Sequence, residues 1–391
     1  MEGMDTTDFR LINWDLAATT AAKLVGAGPV LTPAQIAEVV ADLRAKADES
    51  VGHVHRITGL AAAADLRNSQ VLIVDRPGWA KANTQSFEAM LAPAMEHLAK
   101  TRGEKISEAT QVLSATATGV EMGAILAFMS SKVLGQYDPF AGLLRDDLPA
   151  GGRLMLVAPN IVAIERELKV DVDDFRLWVT LHEQTHRVQF AAAPWLRAHL
   201  QSKIAELLAS LLAEPEALGE RLRAAASEVI RGKKALEKTA DQEETADDFA
   251  SGGGLLAGLR TGEQKAILSH ITAVMSLLEG HANVVMDAVD SSIVPSVRTI
   301  RQRFGSRGKD RSALEKWLRK LLGLDAKMRQ YADGQRFVTR AVKLMGMEGF
   351  NKVWEGPENL PTEHEVHHPE QWVARMEGAG TAAGTETPHN N

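Results

Sequence analysis

The residues whose types and spacing could do chemistry are His182-Glu183-Gln184-Thr185-His186. On an α-helix, side chains four apart lie one above the other, so both imidazoles can reach a single ion. The glutamate after the first histidine would stand beside that ion, placed to hold and deprotonate a water bound there. With 12 His and 51 acidic residues in 391, a chance match to His-acid-x-x-His is expected roughly 0.05 times per chain. The plainer reading, two core histidines each with its own polar partner, asks for two separate coincidences.

A catalytic zinc takes three protein ligands and leaves one position for water. The metzincin continuation of the motif needs glycine at 189 and histidine at 192; Gln189 and Ala192 exclude it. The remaining candidates for a third ligand are His199, His270, Glu279 and His281. Glu279 fits best. It falls on the apolar stripe Leu268, Ile271, Met275, Ala282 and Met286, where a carboxylate is costly unless paired or metal-bound. Its plainer reading is a buried salt bridge, with Arg187 as a possible partner. Gly280 weakens a helix but lets another approach closely. By its angle around the helix, His281 reads as a cleft residue rather than a ligand. Asn283 and Asp287, one and two turns beyond Glu279, are candidates to hydrogen-bond a ligand imidazole and fix its tautomer.

The element that must present the motif is a helix over Asp173–Ala193. Phe175, Trp178, Val179, His182, His186 and Phe190 recur at three- and four-residue steps, while Leu177, Leu181 and Val188 form a second apolar face. A helix apolar on two sides is expected to be central. Asp171, Asp173 and Asp174 suit its start, and Pro194 stops it after Ala193. Upstream, Arg153–Asn160 is the best strand candidate, with Pro159 suggesting an edge position. Val71–Val74 is a short β-branched run, either strand or buried turn. Residues 106–134 read as a long buried helix, ending in a turn-like segment Gly135–Phe140 that holds Tyr137.

Helical spacing also marks 16–66, with Thr32-Pro33 as a helix start, and 196–239. Thr261-x-x-Gln264 is a capping box opening another helix. Asp241–Gly262, acidic and then glycine-rich, is expected to be an internal flexible loop. The Gly/Ala/Thr/Glu-rich residues 376–391 are expected to be a disordered tail, leaving 1–375 as one domain.

Composition narrows the chemistry. There is no cysteine, so any metal must be held by His, Asp or Glu, which suits a catalytic site better than a structural zinc. A formal charge of −7 argues against nucleic acid or an anionic membrane as the main partner. The basic residues within 298–311 are interrupted by Asp310 and read as a solvated helix end. No uncharged run reaches membrane-spanning length, and residues 1–20 lack a signal-peptide pattern, so a cytoplasmic location is expected.

With His182-Glu183-x-x-His186 and Glu279-Gly280-His281-Ala282 both in view, the chain resembles the actinobacterial zincin-like metallopeptidases, a family often linked to biosynthesis of a deazaflavin coenzyme. Asp75-Arg76-Pro77-Gly78-Trp79, Gly135-Gln136-Tyr137-Asp138-Pro139, Ala193-Pro194-Trp195-Leu196, Leu321–Lys327 and Phe350-Asn351-x-Val353-Trp354 carry the resemblance across roughly 70–375. It implies a mainly α zincin-like fold with a small β element bordering the cleft. It also implies zinc on His182, His186 and Glu279, with Glu183 as general base. The 93-residue interval from His186 to Glu279 is far longer than in thermolysin-like enzymes.

The expected activity is hydrolysis of a peptide or small amide by a gluzincin-like mechanism: zinc polarises the carbonyl and Glu183 shuttles the proton. An oxyanion forming there needs a further donor, for which Tyr137 and His281 are the candidates. The alternative is a non-catalytic zinc-binding helical scaffold, or a partner in coenzyme assembly with a vestigial motif. An intact Glu183 favours the enzyme, because a structural site has no use for a base there.

Overall fold

The computed structural model describes residues 12–102, 108–143, 151–212, 261–306 and 324–383. Segment 241–260 of the expected loop, residues 307–311 of the basic stretch and residues 384–391 of the tail lie outside these. The chain is mainly helical around one small sheet, in the order α1 (Trp14–Leu24), α2 (Pro33–Thr58), β1 (Gln70–Val74), α3 (Arg76–Arg102), α4 (Glu108–Ser130), β2 (Gly135–Asp138), β3 (Arg153–Val157), α5 (Ala158–Leu168) and α6 (Val172–Ala192). Then follow α7 (Leu196–Leu212), α8 (Gly262–Ala288), α9 (Val297–Ser306), α10 (Leu324–Asn351), α11 (Glu363–His367) and α12 (Pro369–Ala383). No helix among the described residues is long and apolar enough to cross a membrane.

Local sequence explains many of the boundaries. Thr32 and Thr261 each close a reciprocal capping box with Gln35 and Gln264, and Pro33 sits in the first turn of α2. Asp171 accepts from the Asp174 amide and caps α6, whose helical residues end at Ala192 with Ala193 as C-cap. Helix α12 continues through Met376, where composition predicts the tail to begin; that side chain is buried in the main core.

The strand order is β1-β3-β2. β1 runs parallel to β3 with Val71 opposite Leu154 and Ile73 opposite Leu156, and β2 runs antiparallel with Gly135 opposite Leu156 and Asp138 opposite Arg153. Two expectations change here. β3 is the central strand, buried at every residue, because Pro159 lies beyond it in the first turn of α5. The turn-like segment at 135–138 is itself an edge strand, whose main chain finds its partner in β3.

The sheet separates two cores by strand alternation. Leu154 and Leu156 face the larger core with α2, α6, α8 and α10; Met155 and Val157 face a smaller one with Trp79, Ala80, Leu126 and Ala127. A buried Asp138–Arg153 ion pair at 2.9 Å closes the sheet end; Ser86 of α3 donates to the same carboxylate. Helix α6 runs through the large core with thirteen buried residues, the central element its two apolar faces predict.

Candidate metal centre

Helix α6 is held from three directions before it presents anything. Near its start, Arg176 makes a bidentate contact with Glu165 of α5 at 2.9 and 3.0 Å and reaches Asp42 of α2 at 3.0 Å. Further along, Arg187 donates to the Leu66 carbonyl and to both Ser69 oxygens, ahead of β1. Arg187 is therefore engaged away from Glu279, and the salt-bridge reading of that carboxylate has no support here.

His182 and His186 come together one turn apart, ring centroids 5.0 Å from each other and nearly perpendicular at 88°. Glu279 of α8 reaches across to both: its Oε2 lies 3.9 Å from His182 Nε2 and 3.8 Å from His186 Nε2. Among the described residues this is the group of three His, Asp or Glu whose ligand atoms gather within 4.8 Å. Ligands about 2.1 Å from a tetrahedral zinc stand roughly 3.4 Å apart, so each Glu279–imidazole separation is a few tenths of an ångström wider than a bound zinc would hold it. The side chains are 30 % (His182), 13 % (His186) and 20 % (Glu279) exposed, which leaves the cluster open on one side.

Electrostatics favour a cation there. Burial, with His186 alongside, pushes the His182 imidazole down to about 4, so it is neutral with a lone pair to give at pH 7. Burial first, and the Glu279 charge second, push the Glu183 carboxyl up to about 8. Two carboxyl groups and two imidazoles crowd one spot, and among the described residues no Lys or Arg pairs with Glu183 or Glu279; a divalent ion would supply the positive charge. The nitrogen and oxygen donor set, without sulfur, fits zinc in an open site.

Glu183 owes its place to a glycine. A Cβ on Gly135 would sit 2.5 Å from Glu183 Cγ and 2.9 Å from its Cδ, so the carboxylate lies on the bare backbone of edge strand β2. Glu279 is set by a second bare contact. A Cβ on Gly280 would stand 2.2 Å from the Gly334 carbonyl carbon, and one on Gly334 would stand 2.0 Å from the Ser276 oxygen, so α8 and α10 cross backbone to backbone.

The other expected residues are engaged elsewhere. Tyr137 sets its ring at a tilt against Phe190, two turns beyond Glu183 on α6, and its hydroxyl donates to the Gly151 carbonyl. His281 is fully buried rather than lining a cleft, stacked on Phe350 at 5.6 Å and edge-on to Trp354. His199 and His270 bond each other, Nε2 to Nε2 at 2.7 Å. Asp287 accepts from Gln335 of α10 at 2.6 Å rather than from a ligand imidazole. That imidazole's partner is Gln189, whose Oε1 lies 3.0 Å from His186 Nδ1. The available signal was a glutamine three residues past His186 on a buried helix.

The family model of the zincin-like metallopeptidases matches residues 12–373. No match is found among curated proteins. Among solved structures, the chain is similar to a Chloroflexus aurantiacus protein whose crystal structure is described as "a putative hydrolase with a novel fold": 30 % identity, TM-score 0.60, covering 94 % of this chain and 99 % of that one. An HExxH helix resting on an edge strand, a carboxylate brought from a distant helix and a family match over nearly the whole length lead to one conclusion: the chain belongs to the zincin-like metallopeptidase family.

Proposed function

We propose that this protein is a zinc-dependent metallopeptidase that hydrolyses a peptide or small amide bond. The observation that carries the reading is the meeting of Glu279 with His182 and His186 across 93 residues of chain, with Glu183 alongside against Gly135. His182, His186 and Glu279 would hold the metal. When bound, zinc supplies Lewis acidity, polarising the scissile carbonyl and acidifying the water that attacks it.

Glu183 is the general base. Buried beside Glu279 and with no Lys or Arg partner among the described residues, its carboxyl is pushed up to about 8, which suits a group that takes a proton from water and returns it to the leaving amine. Among the described residues strand β2 pairs on one side only, and an extended peptide could lie along its other edge beside that carboxylate. Neither Tyr137 nor His281 is assigned as the oxyanion donor: the Tyr137 hydroxyl donates to the Gly151 carbonyl, and His281 is fully buried with its Nδ1 on Gln189.

The test pairs metal content with turnover. Glu183→Gln is expected to retain about one zinc per chain by elemental analysis while losing about 10²–10⁴-fold of hydrolysis in a peptide-library digest. Full turnover by that variant would overturn the assignment of the base. A wild-type protein that binds zinc and cleaves nothing in the library would favour a zinc-binding scaffold.

A further inference from the structure

Gln189 sits between the two helices that would hold the metal. Its Oε1 faces His186 Nδ1 at 3.0 Å, and its Nε2 lies 2.8 Å from the Leu278 carbonyl oxygen and 2.9 Å from His281 Nδ1. Gln189 and His281 are both fully buried. Which way the amide points follows from chemistry. The Leu278 carbonyl can only accept, so the atom facing it must be the NH₂. The oxygen therefore faces His186, and the His186 Nδ1 must carry a proton to donate to it. This leaves the lone pair on His186 Nε2, the nitrogen 3.8 Å from Glu279 Oε2. The second NH₂ hydrogen needs an acceptor, so His281 Nδ1 is unprotonated and its proton is on Nε2, which is buried with no hydrogen-bond partner among the described residues.

We infer that Gln189, held in turn by His281, is the positioning residue of the metal centre, fixing His186 in the tautomer that presents Nε2 and tying α6 to the turn of α8 that carries Glu279. Flipping the amide would set its oxygen against the Leu278 carbonyl, so the backbone of α8 dictates the tautomer of a histidine on α6. Leu278 precedes Glu279 and His281 follows two residues later, so one amide sets both the donor nitrogen and the helix spacing. The inference rests on the zinc-site reading for its purpose but not for its first test.

That test uses the metal-free wild-type protein. Long-range proton–nitrogen NMR correlations are expected to show His186 protonated at Nδ1 and His281 at Nε2; the opposite tautomer at His186 would overturn the inference whether or not zinc binds. The second test titrates zinc against a chelator. Gln189→Leu, which keeps the volume and drops both polar ends, is expected to weaken zinc about 10–100-fold. His281→Phe is expected to weaken it less, and the double variant to be no weaker than Gln189→Leu alone. Unchanged zinc affinity in a folded Gln189→Leu would overturn the positioning role. Additive losses in the double variant would overturn the relay through His281. Failure of the wild type to bind zinc would count against the proposed function and leave the tautomer result standing.

Discussion

The pairs His182–His186 and His199–His270 have nearly the same shape, with ring centroids 5.0 Å apart in both and interplanar angles of 88° and 72°. Their chemistry differs in where the nitrogens go. In the second pair, one Nε2 donates to the other at 2.7 Å, so proton and lone pair are used on each other. In the first, both Nε2 atoms face a carboxylate, and Gln189 claims the far side of His186. A pair of imidazoles at metal-binding distance is thus no site by itself. A third group facing them, and a fixed tautomer behind them, make the difference.

The sharpest way to break this comparison is to remove the third group. Glu279→Ala is expected to lose zinc retention by at least about 10²-fold in a chelator competition, while His270→Ala keeps the wild-type stoichiometry of one. Loss of zinc in the His270 variant would mean that the second pair also holds metal.

Next in size is the support under the base. Gly135→Ala puts a methyl where Glu183 Cγ lies, so hydrolysis should fall about 10²-fold with zinc content unchanged. An active Gly135→Ala would show that Glu183 does not need the bare strand.

Stability against pH separates the base from the histidines in the metal-free protein. Glu183 has a folded value of about 8, above its ordinary 4.5, so its burial favours the protonated form. Its contribution is intact below about pH 4.5 and lost as pH rises to 8. Metal-free Glu183→Gln should therefore match wild type near pH 4.5 and grow more stable relative to it by up to about 1.4 kcal/mol per pH unit towards pH 8, as read by urea unfolding. His182, lowered to about 4, works the other way: its contribution is full above 6.5 and lost as pH falls towards 4. A flat difference between wild type and Glu183→Gln would mean that Glu183 is ionised without cost in the fold.

The smallest effect tests the crossing. Gly280→Ala should cost about 1–3 kcal/mol of unfolding free energy and weaken zinc modestly, because Glu279 moves with α8.

Much of this was legible in the chain. His182, Glu183 and His186 share one helix, so their relation is fixed by local geometry. Glu279 betrayed itself as a carboxylate on an apolar stripe, and Gly280 as a residue with a packing purpose. Less legible were relations whose second half comes from elsewhere. The four residues of β2 hold a glycine and an aspartate and become a strand only by pairing with β3. Pro159 suggested an edge because a proline cannot tell, from sequence, whether it ends a strand or starts the next helix. His281 looked like a cleft residue until Phe350 and Trp354, some seventy residues on, enclosed it. The partner of the His186 imidazole was sought on α8, at Asn283 or Asp287, whereas it lies on α6 itself at Gln189.

The contact of Gly280 with Gly334 has a mechanical consequence. Where two main chains touch, nothing can rotate, compress or swap rotamers to absorb a displacement. The reach of Glu279 towards the imidazoles is then governed by α10, a helix that contributes no atom to the trio. Sequence changes along α10 around Gly334 would then be felt at the proposed metal site as changes in bite.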